Sequence, residues 1–359
     1  PGTFSGAPGV TDNNAGRPAR QIQWSIGVQR EIMRNLVVDV SYVANRGNWW
    51  RTSSLNAYNS LTPEFLKQQY GLDIYNAADR TILGSQIGQA AAGRFRNKLP
   101  FAGFPTNFTV QRALTSFPQF GALSSAGPLG KTWYDSLQTK VTKRFSHGLD
   151  FSYSFTWSKE LTLGAESDGG LLFGQSVNDI FNRDTNKQLS SFSRPLWNIL
   201  AVTYTVPGWG TNRWLKYGLS DWTLGTTLQY GSGQPIPVPG TAGTLTNLAQ
   251  SLGRGTRAER VPGVPLFLQD LNCHCFDPAQ AQVLNPAAWR DPGSTYDAAG
   301  KQTSYNGTFS PSAAYYGDYR YRRIHRETLA LGRVFRLTDR FNFSVRMDFM
   351  NPFNRSPFL

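Results

Sequence analysis

LDFSYSFTWS, residues 149–158, alternates without a break. Leu149, Phe151, Tyr153, Phe155 and Trp157 fall on one side and Asp150, Ser152, Ser154, Thr156 and Ser158 on the other, because successive side chains of a strand point to opposite faces. Five large apolar groups on one face, opposed by small and polar groups, describe a strand with an apolar medium on one side and water on the other.

The pattern recurs in both directions along the chain. Ile22, Trp24, Ile26 and Val28 share a face within residues 21–29, and Leu36, Val38, Val40 and Tyr42 follow after a short interval. Near the other end Phe341, Phe343, Val345, Met347 and Phe349 oppose Asn342, Ser344, Arg346, Asp348 and Met350. Weaker versions cover 133–145, 198–206, 222–230 and 327–336. These make about eight strands, each close to the ~9 to 11 residues with which a tilted strand crosses a bilayer.

A soluble β-sandwich also alternates, so the connections carry the decision. Strands are joined in pairs through 30–35, 146–148, 207–217 and 337–340, whereas 45–132, 159–196 and 231–325 are long and rich in Gly, Asn, Ser and Pro. Short and long connections alternate, as the periplasmic turns and extracellular loops of outer-membrane barrels do. Loops this long are uncommon in compact soluble domains. The expected fold is all-β, a partial antiparallel transmembrane barrel. Trp24, Trp49, Trp50, Trp133, Tyr134, Trp157, Trp197, Trp222 and Tyr230 lie near strand ends and are candidates for interfacial girdles.

Composition agrees. The 359 residues include 35 Gly, 13% aromatic and 16% charged residues, with mean hydropathy −0.39. No run approaches the ~18 apolar residues of a spanning helix. The net charge of +13 comes from scattered basic residues, densest at 254–260 and 320–326 (RYRRIHR). Lipopolysaccharide phosphates suit such runs, and scattered charge argues against nucleic acid. Nothing near Pro1 has the charged start, apolar stretch and cleavage site of a signal peptide. The ending at Leu359, just after Asn-Pro-Phe-Asn, does not finish a strand, so the sequence reads as cut at both ends.

Within the first long connection, Thr62-Pro63-Glu64 offers an N-cap, a proline at the first helical position and an early acid, with Gly71 as the stop. A small helix is expected there. Cys273 and Cys275 are too few for a disulfide framework, and closing a Cys-x-Cys ring is expected to strain it.

Several segments in succession resemble the barrel of Oar-like TonB-dependent receptors. They are WSIGVQREIMRNLVVDVSYVANRG (24–47), FPQFG (117–121), YDSLQTKVTKRFSHGLDFSYSFTWSKEL (134–161), FNRDTNKQLSSFSRP (181–195), FLQDLNCHCFDP (267–278), VLNPAAWRDP (283–292) and RMDFMNPFNRS (346–356). The resemblance implies a Gram-negative outer-membrane protein taking up an unidentified ligand with energy from a TonB-type partner. It also implies a 22-stranded barrel, with a regulatory-like domain, a plug and closing strands outside residues 1–359. A role in adhesion or protein export is the alternative the same family suggests. A soluble β-sandwich binding module is the distant one.

Candidate chemistry is sparse. Cys273, His274 and Cys275, with Asp270 and Asp277 nearby, are the weak candidates for a metal site, but neighbouring side chains of an extended segment point apart and no second ligand pair occurs. A Gly-x-Ser-x-Gly elbow and phosphate-cradling glycine loops are absent, so no enzyme activity and no cofactor are expected. Asp39 and Asp150 would have to converge to act as paired acids. With Arg346 and Asp348 they are read as lumen-facing, since a charge toward mid-bilayer costs about 2–4 kcal/mol.

Overall fold

The computed structural model describes residues 9–10, 13–53, 55, 58–121, 123–125, 127–165, 179–207, 218, 220–241, 248, 252, 257–273, 275–277, 279–299, 301–305, 309–310, 312–336 and 340–355. Eight long strands dominate: β1 Arg20–Met33, β2 Leu36–Thr52, β3 Gly127–Ser146, β4 Leu149–Leu163, β5 Leu196–Thr205, β6 Trp222–Gly231, β7 Ile324–Arg336 and β8 Asn342–Met350. Each pairs antiparallel with the next in sequence, so the sheet is an up-and-down meander. Gln188–Leu189 adds a short pairing to the end of β4.

The expected eight strands are therefore present, but two are much longer than the periodicity suggested. β2 has 17 residues and β3 has 20. Their outer ends run on past the alternating part, and the pairing there is irregular, with register shifts on both sides of Trp50.

The first two short connections are tight, and most of 207–217 and 337–340 lies outside the described residues. Between β1 and β2, Asn35 has φ 67°, and between β3 and β4 His147 and Gly148 have φ 54° and 81°. Positive φ at both central residues makes the latter a type I′ hairpin, whose twist matches that of the strands. Gly148 is also required for space, since a Cβ there would come within 2.3 Å of the Thr205 carbonyl oxygen.

One layer of sheet decides between barrel and sandwich. Ile26 is 72% exposed, Val28 73%, Trp157 59% and Phe343 55%, so the apolar face has no second sheet packed on it. A sandwich would bury these groups between two inner faces. Among the described residues β1 and β8 each pair on one side only.

The buried core lies in the loops instead. Helix α1 (Pro63–Tyr70) has the expected caps: the Phe65 amide donates to Thr62 Oγ1 at 3.0 Å, and Gly71 is left-handed at φ 59°. It is accompanied by α2 (Ala77–Gly84), a 3₁₀ turn (Ala90–Phe95) and α3 (Val110–Ala113). Leu61, Leu66, Leu72, Ile74 and Leu83 pack with Leu248 and Leu252 from the third long loop. A second cluster gathers Ile236, Leu266, Ala288 and Tyr319 within that third loop.

Candidate functional site

Register assigns every strand residue to a face, because directly opposed residues of an antiparallel pair project to the same side. Asp39 lies between Gln29 and Lys140, and the row continues through Ser154, Ile199 and Gln229 to Arg326. A second row runs Asp150, Thr203, Gly225, Ala330, Asp348. Arg346 is two residues from Asp348 on β8 and so shares its face. All four polar candidates thus project from the face opposite Phe151, Phe155 and Phe343.

They share a face without forming one site. Arg346 Nε donates to Asp348 Oδ1 at 2.9 Å, so these two neutralise each other. Asp150 is four strands from Asp348, about 19 Å at ordinary strand spacing, and about 16 Å from Asp39. Paired glycosidase acids stand ~5 to 9.5 Å apart, so Asp39 and Asp150 do not converge.

The opposite face is apolar and bounded. On β3, Leu137, Thr139 and Val141 lie between Asp135 and Lys143, a span of about 26 Å along the strand and about 20 Å across a bilayer at ordinary barrel tilt. At the upper boundary Arg46 forks onto Asp135 at 2.8 and 3.0 Å, and Tyr42 Oη donates to Asp135 at 2.5 Å. The Arg46 guanidinium also lies 5.2 Å from the Trp24 ring, and Lys187 lies 4.3 Å from that of Trp133. At the lower boundary Arg333 lies 5.3 Å from the Trp222 ring. Aromatic rings beside cations at both edges have the form of interfacial girdles.

This shape is matched by sequence comparison. A family model described as "Outer membrane beta barrel domain" matches residues 2–359. The chain belongs to this outer-membrane barrel family. A search of the curated proteins found no match. The barrel domain resides in the outer membrane of a Gram-negative bacterium. Its apolar face meets lipid, its polar face lines the interior, and its long loops lie outside the cell.

Parity corrects part of the girdle expectation. Tyr134 is opposed to Asn45 and Trp197 to Thr156, both on the interior face, and Trp50 folds over Gly47, where a Cβ would meet its indole Nε1 at 2.2 Å. Trp24, Trp133, Trp157, Trp222 and Tyr230 face lipid, because they share register with Ala44, Arg46, Leu137, Arg333 and Asn198.

The weak metal candidates separate. Cys273 and Cys275 form a disulfide, with Cα atoms 5.3 Å apart, within the ordinary span for the bond. Asp270 turns the chain just before this ring: its Oδ1 accepts from the Asn272 amide at 2.9 Å and its carbonyl from the Cys273 amide at 3.1 Å. His274 lies outside the described residues. Asp277 caps its own turn through the Ala279 amide. The disulfide occupies both thiols, and among the described residues no cluster of three His, Cys, Asp or Glu could hold a metal.

The basic runs are also more committed than their sequence suggested. Arg257 is 5% exposed and donates to the Ser312 carbonyl, and burial lowers its guanidinium to about 10 although Tyr315 and Tyr316 act the other way. Arg260 pairs with Asp318 at 2.8 Å. Arg320 donates to the carbonyls of Ser193 at 2.6 Å and Gly233 at 3.0 Å.

These contacts reveal what periodicity missed: the three long loops interlock. Gln111 Nε2 donates to the Leu248 carbonyl, and Gln188 Oε1 accepts from the Ala314 amide. With Arg320 they tie the first and second loops to the third, forming one cap at the outer rim. Residues so far apart in sequence left no local signal of the pairing.

Proposed function

We propose that the barrel domain is the membrane wall and outer receptor surface of a TonB-dependent transporter of the Oar-like kind, taking up a ligand with energy from a TonB-type partner. The observation that carries this reading is the built cap: extracellular loops that interlock around buried leucines present a shaped surface above a polar interior. A passive pore needs no such surface. The ordered succession of Oar-like motifs from Trp24 to Ser356 supports the same assignment.

Under this reading the one-sided pairing of β1 and β8 is completed by further strands. The regulatory-like domain, the plug and the segment touching the TonB-type partner lie elsewhere in the longer protein. The exposed Arg323 at the rim is available to lipopolysaccharide phosphates, and the domain performs no covalent chemistry and binds no nucleic acid.

The test is cellular. The full-length gene is expressed in its host, and surface-bound ligands are followed with and without a protonophore and in a strain lacking the TonB-type partner. Accumulation lost under both treatments is expected. Surface attachment or protein release that persists without energy coupling would instead favour adhesion or export.

A further inference from the structure

Where β1 to β4 meet the outer rim, the interior face lines an open groove of 480 Å³. Its wall is a single cross-strand row: Gln23 opposes Asn45, Asn45 opposes Tyr134, and Tyr134 opposes Glu160. Gln138 and Trp50 border the same space.

The chemistry of this lining is selective. Among the described residues it contains no Lys, Arg or His, and Glu160 is the one carboxylate. Those residues place no cation there to neutralise a phosphate or carboxylate ligand, and one carboxylate gives little hold on a polycation. What it offers is amides. Gln23 and Asn45 make no side-chain hydrogen bond to protein among the described residues, and each amide both donates and accepts. A surface of hydroxyl groups, each also donor and acceptor, is the complement. The half-buried Tyr134 ring supplies an apolar face on which the C–H side of a sugar ring can lie.

Spacing adds an independent argument. Adjacent strands stand about 4.8 Å apart, so the four side chains mark a ladder about 14 Å long across the wall. One rung per strand is close to one rung per hexose unit of an extended chain.

We propose that the row Gln23, Asn45, Tyr134 and Glu160 is a binding site for a neutral oligosaccharide of two to three sugar units or more. The assignment rests on the uptake reading for its biological use, but not for its measurement.

The full-length protein, purified in detergent, is titrated with maltohexaose, cellohexaose and xylohexaose by calorimetry and tryptophan fluorescence. Hexalysine and hexagalacturonate serve as charged probes. Saturable binding of at least one neutral probe is expected, without competition from the charged ones. Gln23→Ala, on a strand exposed on both faces, and Asn45→Ala should each weaken it roughly three- to tenfold, the range of a lost hydrogen bond. Tyr134→Ala should weaken it more than about tenfold, and Tyr134→Phe, which keeps the ring, should restore affinity to within about threefold. Absence of saturable binding by all three neutral probes overturns the proposal, as does tighter binding of a charged probe or indifference to the Gln23 and Tyr134 substitutions. Protonophore-insensitive accumulation of a bound sugar by cells would defeat the uptake reading alone. Energy-dependent uptake of another ligand with no sugar binding would defeat this assignment alone.

Discussion

The wall and the cap of this protein are stabilised in opposite ways. In the wall, Trp157 and Phe343 are exposed on a face with no second sheet against it, whereas in the cap Leu66, Leu72 and Leu83 are wholly buried. The wall relies on lipid to cover its apolar face, and its backbone groups are satisfied by strand pairing. The cap stands in water and must bury its own leucines, which it does by borrowing Leu248 and Leu252 from a distant loop. A single chain thus carries two hydrophobic solutions, one facing out and one facing in, joined at a rim where Arg46, Asp135 and Tyr42 mark the change of solvent.

Five substitutions can break or sharpen that contrast. The largest effect is expected from Leu66→Ala, which empties a fully buried site and should cost the cap about 2–5 kcal/mol. Hydrogen exchange should show protection lost in α1 and α2 while β3 and β4 keep theirs; equal loss in both regions would show that cap and wall are one cooperative unit. Phe155→Arg should come next, destabilising insertion into lipid vesicles by about 2–4 kcal/mol, because Phe155 lies in the middle of the lipid-facing band. Its neighbour Ser154→Arg, on the interior face, should change stability by only about 0.5 kcal/mol. Urea titrations of vesicle-folded protein compare the two, and similar losses would refute the face assignment.

A smaller effect is expected from Thr62→Ala, which removes the hydroxyl that caps α1 and should cost the cap about 1 kcal/mol. Slower proteolysis of the first loop in this variant would contradict the cap geometry. The smallest effect concerns pH. The Tyr75 amide, and then the Lys67 ammonium at 3.0 Å, hold the Asp73 carboxyl below its ordinary value. A depressed folded value contributes stability that is present above the unfolded value and lost as pH falls through the folded one. Exchange protection around α1 should therefore weaken on acidification below about pH 4. Asp73→Asn should flatten that dependence while leaving the wall unchanged.

How much could be read in advance differs between the two regions. Asp39, Asp150, Arg346 and Asp348 were assigned to one face by counting residues in twos, and strand register places them on one face. Period two survives in a sequence because each strand meets lipid and water locally, whatever its neighbours are. Nearness to strand ends, which puts Tyr134 and Trp197 in a girdle, says nothing about parity, and both project to the interior face. Counting in twos stopped β2 and β3 short, since their outer ends continue as paired backbone without an apolar face.

The cap was almost illegible. Helix α1 announces itself through Thr62, Pro63 and Gly71, but α2, equally eight residues long and capped by Asn76, has neither a proline at its start nor a left-handed glycine as its stop. The Asp270 turn precedes the closure of Cys273 onto Cys275, and the commitment of Arg257 and Arg320 depended on carbonyls more than 50 residues away.

By itself the amino-acid sequence determined a single antiparallel sheet with a lipid face and a polar face, joined by alternating short and long connections. Those features are local consequences of side-chain alternation and turn chemistry. Tertiary structure alone decided that Gln23, Asn45, Tyr134 and Glu160 stand in one row, that the first and third long loops pack around Leu248 and Leu252, and that Gln188 and Ser193 tie the second loop to the third. Register and burial are relations between distant segments, and only the folded chain brings both partners to the same place.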